Sequence, residues 1–173
     1  MSISLVGLPG SGKSTVGRQL ARRLHLGFAD SDHVIEQRIG CSIRAFFERE
    51  GEDRFRDIEA EVIDELTRTG GVLSTGGGAV LRQANREHLH QRGQVIYLKS
   101  TPEELMRRLR HDTQRPLLQV QDPLQRLRDL YAQRDPLYRE TAHFVIDTGR
   151  PSVATLVNMI IMQLELAGVL PKS

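Results

Sequence analysis

One cysteine, Cys41, occurs in 173 residues. That excludes an internal disulfide and a zinc site built on several thiolates. A lone thiol fits a reducing compartment, and the opening Ile3-Ser4-Leu5-Val6 shows no secretory charge pattern, so a cytoplasmic location is expected. Lysine is nearly as scarce: Lys13, Lys99 and Lys172 account for three of the 24 basic residues, leaving 21 arginines. The formal net charge is only +2, and no basic cluster interleaves with aromatics, so a nucleic-acid partner is not expected. Long apolar runs are missing too. The most apolar stretch, 153–170, contains Asn158, Gln163 and Glu165, and reads as an amphipathic core helix and not as a membrane span. There is no internal repeat, low-complexity tract or long linker. A single domain over residues 1–173 is expected, and a monomer with it.

What is present is an alternation. Short apolar runs at 3–6, 27–30, 72–75, 95–98 and 144–147 read as strands. Between them apolar residues recur at helical spacing, as in Val16, Leu20 and Leu24. Strands alternating with helices predict a parallel sheet covered on both faces. Thr101-Pro102-Glu103-Glu104 has the form of a capping box with proline at the first helical position. Asp122 and Ser152 read as further N-caps, Gly40 as a helix stop and Ser42 as the next start. Two stretches fit a core pattern poorly. Residues 32–60 are helical but polar, as an inserted helical region would be. Residues 111–122 lack a period, as a flap would.

Gly7-Leu8-Pro9-Gly10-Ser11-Gly12-Lys13-Ser14 matches G-x-x-x-x-G-K-[ST]. The glycines let backbone N–H groups turn inward around an anion with no Cβ in the way. The lysine reaches the β- and γ-phosphates, the serine offers a hydroxyl to Mg²⁺, and the following helix aims its positive end at the same charge. The motif follows an apolar strand and opens a helix, which is the setting its mechanism needs. A nucleoside triphosphate is therefore the expected ligand.

The later residues narrow the choice. No Asn-Lys-x-Asp element reads guanine, and no strand but 27–30 ends in an aspartate suited to a motor ATPase. Asp30-Ser31-Asp32 could divide labour between metal and substrate, pointing to opposite sides if the strand continues. It could equally be a solvated helix cap, and the residues alone leave both readings open. Gly76-Gly77-Gly78 puts bare backbone at a strand's carboxyl end, where open α/β sheets bind ligands; a flexible turn is the other reading. Most of the arginines read as solvated helix faces. Arg56 in Phe-Arg-Asp-Ile-Glu, Arg115 in Arg-Pro-Leu-Leu and Arg134 in Arg-Asp-Pro-Leu-Tyr stand out by their surroundings.

In order along the chain these pieces resemble the shikimate kinases of the nucleoside-monophosphate-kinase-like P-loop group. The likeness spans essentially the whole sequence. It implies a three-layer αβα P-loop kinase fold with five parallel strands in the order 2-3-1-4-5, a helical substrate region near 32–60 and a lid near 111–122. It implies transfer of the γ-phosphoryl group of ATP to the 3-hydroxyl of shikimate, within chorismate and aromatic amino-acid biosynthesis, with Mg²⁺ as cofactor. ATP would meet Gly10, Ser11, Gly12, Lys13, Ser14 and Thr15, with Arg115 over the phosphates and Arg108 and Arg150 toward adenine. Lys13, Asp32 and Arg115 would be the catalytic residues. Asp32 would hold substrate hydroxyls and act as base, Arg56 and Arg134 would clamp the carboxylate, and Gly77 and Gly78 would offer backbone contacts. Ser14 would bind the metal directly and Asp30 through water. Phe47 and Phe55 would wall the substrate ring or belong to the core. The alternatives are a gluconate kinase-like enzyme and, in another class, a non-catalytic nucleotide-binding regulator.

Overall fold

A computed structural model describes residues 1–109, 121–149 and 151–171. Its elements run β1 (Ser2–Val6), α1 (Lys13–Leu24), β2 (Phe28–Asp30), α2 (Ser31–Ile39), α3 (Ile43–Glu50), α4 (Glu52–Thr69), β3 (Gly71–Ser74), a 3₁₀ turn (Ala79–Leu81), α5 (Gln83–Gln91), β4 (Gln94–Lys99), α6 (Pro102–Leu109), α7 (Pro123–Thr141), β5 (Phe144–Asp147) and α8 (Val153–Leu166). All strand pairings are parallel, in the order β2-β3-β1-β4-β5. This is the order that the family resemblance implies, and the five strands fall within a residue or so of the apolar runs.

Side chains alternate across the sheet and so build two cores. Ile3 and Leu5 of β1 pack with Val16 and Leu20 of α1 and with Leu156, Val157 and Ile160 of α8. Val6, Val95 and Tyr97 face the other way, onto Ile63 of α4, Leu89 of α5, Leu105 of α6 and Leu127 and Tyr138 of α7. Helices on both faces explain why the strands read as continuous apolar runs. The polar 32–60 region has a small core of its own, with Ile35, Phe46, Phe55 and Val62 packed among α2, α3 and α4. Phe55 therefore belongs to that core, while Phe47 is only partly covered.

The helix ends follow the capping chemistry. Glu104 N–H donates to Thr101 Oγ1, and Thr101 N–H donates back to Glu104 Oε2, both at 3.1 Å. Asp122, Ser42 and Ser152 cap α7, α3 and α8, and Gly40 ends α2 in the left-handed region. One detail differs from expectation. The strand does not continue past Asp30; α2 starts at Ser31, and Asp30 is its N-cap, accepting from the Asp32 and His33 amides. Asp30 and Asp32 are thus separated by the strand-to-helix transition and not by strand alternation. The expected lid lies outside the described residues, except for Gln121 and Asp122. Arg115 and Arg150 lie outside them as well. No helix among the described residues is long and apolar enough to cross a membrane.

Candidate active site

The loop after β1 turns at Gly10 and Gly12, whose φ values of 86° and 91° are left-handed and favour glycine. It delivers Lys13 to the first position of α1. The ammonium is buried and donates to the Gly7 and Leu8 carbonyls at 2.7 and 3.0 Å. With Pro9, Ser14 and Thr15 these residues line a cleft of about 260 Å³ at the carboxyl edge of the sheet. Ser11 is buried beside them, its hydroxyl meeting no partner among the described residues. Arg108 reaches the same loop from α6, donating to the Gly10 carbonyl at 3.3 Å and to the Thr148 carbonyl at 3.0 Å.

Asp30 has two jobs at once. One oxygen caps α2; the other accepts from the Ser14 hydroxyl at 2.6 Å. Ser74 Oγ lies 3.3 Å from the same hydroxyl. These are hard oxygen donors, few in number, beside a phosphate loop. They fit Mg²⁺, which binds few protein groups and keeps several waters.

Asp32 lines the phosphate cleft and also a second cavity of about 180 Å³, together with Arg56, Glu59, Gly77, Gly78 and Arg134. The two cavities share Pro9, Asp32, Gly76 and Gly77, so they are two ends of one cleft. Burial raises the Asp32 carboxyl above its ordinary range, and the Asp30 charge adds to this. Lys13 and, more weakly, Arg56 pull it down, and Glu36 pushes it up.

Arg56 comes from α4 and Arg134 from α7, converging on the second cavity from separate elements. Phe47 and Phe55 line it as well, with rings 4.7 Å apart, and the Arg56 guanidinium lies over both. Glu59 had no role in the sequence reading. It is 1% exposed, accepts from Arg56 at 2.9 Å, and its other oxygen meets no partner among the described residues. Burial raises its pKa, while Arg56 and Arg134 act against that shift. Glu52 makes a longer bond of 3.4 Å to Arg56 from the solvent side. Only the i,i+3 spacing of Glu59 from Arg56 could have singled it out.

The glycine triplet is required by contact. A Cβ on Gly76 would sit 2.5 Å from Asp32 Oδ1, one on Gly77 2.6 Å from Pro9 Cδ, and one on Gly78 inside the Arg56 guanidinium. Ser31 Oγ accepts from the Gly76 amide at 3.0 Å, fixing the triplet to the start of α2.

A sequence profile of the shikimate kinase family matches residues 9–165. The chain belongs to the shikimate kinase family. It is 64% identical to a shikimate kinase of Paracidovorax citrulli, over all of this chain and 97% of that one. A solved shikimate kinase from Acinetobacter baumannii, in complex with shikimate, superposes with a TM-score of 0.89 at 49% identity, covering 98% of this chain and 94% of that one. A gluconokinase from Sinorhizobium meliloti also superposes, with a TM-score of 0.60 at 19% identity over 96% of this chain and 92% of that one. That second likeness is one of fold alone and gives the gluconate kinase alternative little support. As a shikimate kinase family member, the chain is an ATP-dependent phosphotransferase, and the regulator reading falls away.

Proposed function

We propose that the chain transfers the γ-phosphoryl group of ATP to the 3-hydroxyl of shikimate, giving ADP and shikimate 3-phosphate. One observation carries this reading: the phosphate loop and the arginine-lined cavity are two ends of one cleft, with Asp32 in the wall of both. Phosphoryl transfer asks a protein mainly for position and charge stabilisation. Lys13 supplies a cation at the loop, and Gly10, Ser11, Gly12, Ser14 and Thr15 frame the phosphates. Arg56 and Arg134 hold the acceptor carboxylate, with forked pairs adding direction to charge. Glu59 orients Arg56 from beneath and offsets one of the two positive charges. Gly77 and Gly78 present amides to the acceptor. Asp32 orients the attacking hydroxyl and accepts its proton, a task helped by a pKa above the ordinary carboxylate range.

Ser14, and Asp30 through water, would hold Mg²⁺, which when bound neutralises charge on the phosphates. Arg115 is proposed over the phosphates, and Arg108 and Arg150 toward adenine. A monomer in the cytoplasm completes the reading. The test is ADP release measured with shikimate, gluconate and nucleoside monophosphates in turn. Turnover with shikimate alone is expected; comparable turnover with gluconate would overturn the substrate assignment.

A further inference from the structure

A hydroxyl outside the lining of either cavity is bonded to the backbone of the acceptor end. Tyr138 is fully buried on α7, one turn after Arg134. Its hydroxyl donates to the Gly77 carbonyl, and the Arg134 guanidinium lies beside it. The ring packs on Tyr97 of β4 with centroids 5.0 Å apart. Tyr97 in turn donates to Asp135 at 2.7 Å, and Arg139 holds that carboxylate's other oxygen at 3.0 Å. The hydroxyl is thus fixed by its ring, by the sheet and by α7.

The Gly77 carbonyl belongs to the Gly77–Gly78 peptide, which is planar and trans. In such a unit the C=O and N–H point to opposite sides. Holding the carbonyl toward α7 therefore turns the Gly78 N–H away from α7. Neither the Gly77 nor the Gly78 amide meets an acceptor among the described residues, and both glycines line the acceptor cavity. Glycine lacks the Cβ that would otherwise restrict the peptide plane. A glycine triplet can thus approach closely, but needs an external hold.

We propose that Tyr138 is a positioning residue for the acceptor, its hydroxyl holding the Gly77–Gly78 peptide so that a free amide and the Arg134 guanidinium face the bound substrate together. This deepens the shikimate reading and rests on it. Tyr138 would tie the amide face and one arm of the carboxylate clamp to one point of α7, so loosening it weakens acceptor binding and spares the nucleotide end.

The experiment compares KM and kcat for Tyr138→Phe, Tyr97→Phe and Arg134→Ala, with thermal melts of each. Tyr138→Phe keeps the ring and loses one hydrogen bond. It is expected to raise the shikimate KM roughly five- to tenfold, with the ATP KM within about twofold. Tyr97→Phe also removes a buried bonded hydroxyl, but keeps the ring that packs on Tyr138 and does not touch the glycines; it should lower the melting temperature and raise the shikimate KM by less than about twofold. An unchanged shikimate KM in Tyr138→Phe, or an equal rise in Tyr97→Phe, overturns the positioning role. An unchanged shikimate KM in Arg134→Ala instead removes the pocket reading itself, and this inference with it. Should Tyr138→Phe not fold, a scalar coupling across the hydrogen bond, from the Tyr138 hydroxyl proton to the Gly77 carbonyl ¹³C of the unaltered protein, reads the same bond. A resolved coupling supports the hold, and its absence overturns it.

Discussion

The two ends of the cleft are made from different material. The proposed nucleotide end is one contiguous loop of backbone with two left-handed glycines and a single lysine. The acceptor end is assembled from side chains on α2, α4 and α7, with bare glycine backbone between them. A backbone nest recognises an anion wherever the loop folds. The acceptor end exists only if four distant segments are placed correctly, and its fully buried charge, Glu59, is paired with Arg56. Recognition of the triphosphate is thus local, whereas selectivity for the acceptor is a property of the whole fold.

Breaking the nucleotide end should have the largest effect. Lys13→Ala removes the loop's ammonium, and a fall in kcat of about 10³-fold or more is expected in a coupled ADP assay. The circular-dichroism melt should show an intact fold. A loss below tenfold would mean that the donor end is misassigned.

Next comes the clamp. Arg134→Ala should raise the shikimate KM by about 30- to 100-fold, the size of a lost charge-assisted pair, and change the ATP KM less than threefold. Equal effects on the two substrates would erase the distinction between the ends. Gly77→Ala tests their junction, because its new Cβ would fall 2.6 Å from Pro9 Cδ in the phosphate loop. Both KM values should rise several-fold, and the melt should fall by an amount corresponding to about 1–3 kcal/mol of overpacking.

The smallest effect lies away from the cleft. His143 Nδ1 accepts from the Val95 amide at 2.9 Å, so it must be unprotonated, and the ring stacks on His90 with centroids 4.1 Å apart. Burial, and then His90, depress the His143 pKa. The unfolded chain therefore binds the proton more readily. The stability this histidine contributes is present above about pH 6.5 and is lost as pH falls toward the lower folded value. His143→Gln should flatten the melting temperature between about pH 7 and 5, with kcat at neutral pH unchanged. An unaltered slope would assign that pH dependence to other groups.

How far the site could be read from the sequence follows the same division. The loop was legible because eight consecutive residues carry its chemistry, and the elements because apolar runs and caps mark them; the strand order came only with the family likeness. Asp32, Arg56 and Arg134 were legible through a family likeness, and the structure brings them to one cavity. Glu59 and Tyr138 end the Phe-Arg-Asp-Ile-Glu and Arg-Asp-Pro-Leu-Tyr stretches that carry that likeness, but no role attached to them there. Their importance comes from a partner in another turn or element, and a buried glutamate or tyrosine in a helical pattern looks like any other. The roles of Asp30 stayed open because they depend on where β2 stops: the structure shows the cap, made by Asp30 and not by Asp32, and the same carboxylate also accepts from Ser14.

The central claim is that Asp32, standing in both cavities, acts on the acceptor hydroxyl. Its raised pKa also means that the ionised form strains the unliganded fold at neutral pH, a cost that vanishes as pH falls and the group protonates. The direct test is Asp32→Asn in a single-turnover rapid-quench experiment with saturating ATP and shikimate, alongside its melt at pH 7. A transfer rate lowered by about 10²-fold or more, in a protein that melts no lower than the parent, is the predicted result. A near-normal transfer rate would contradict the account.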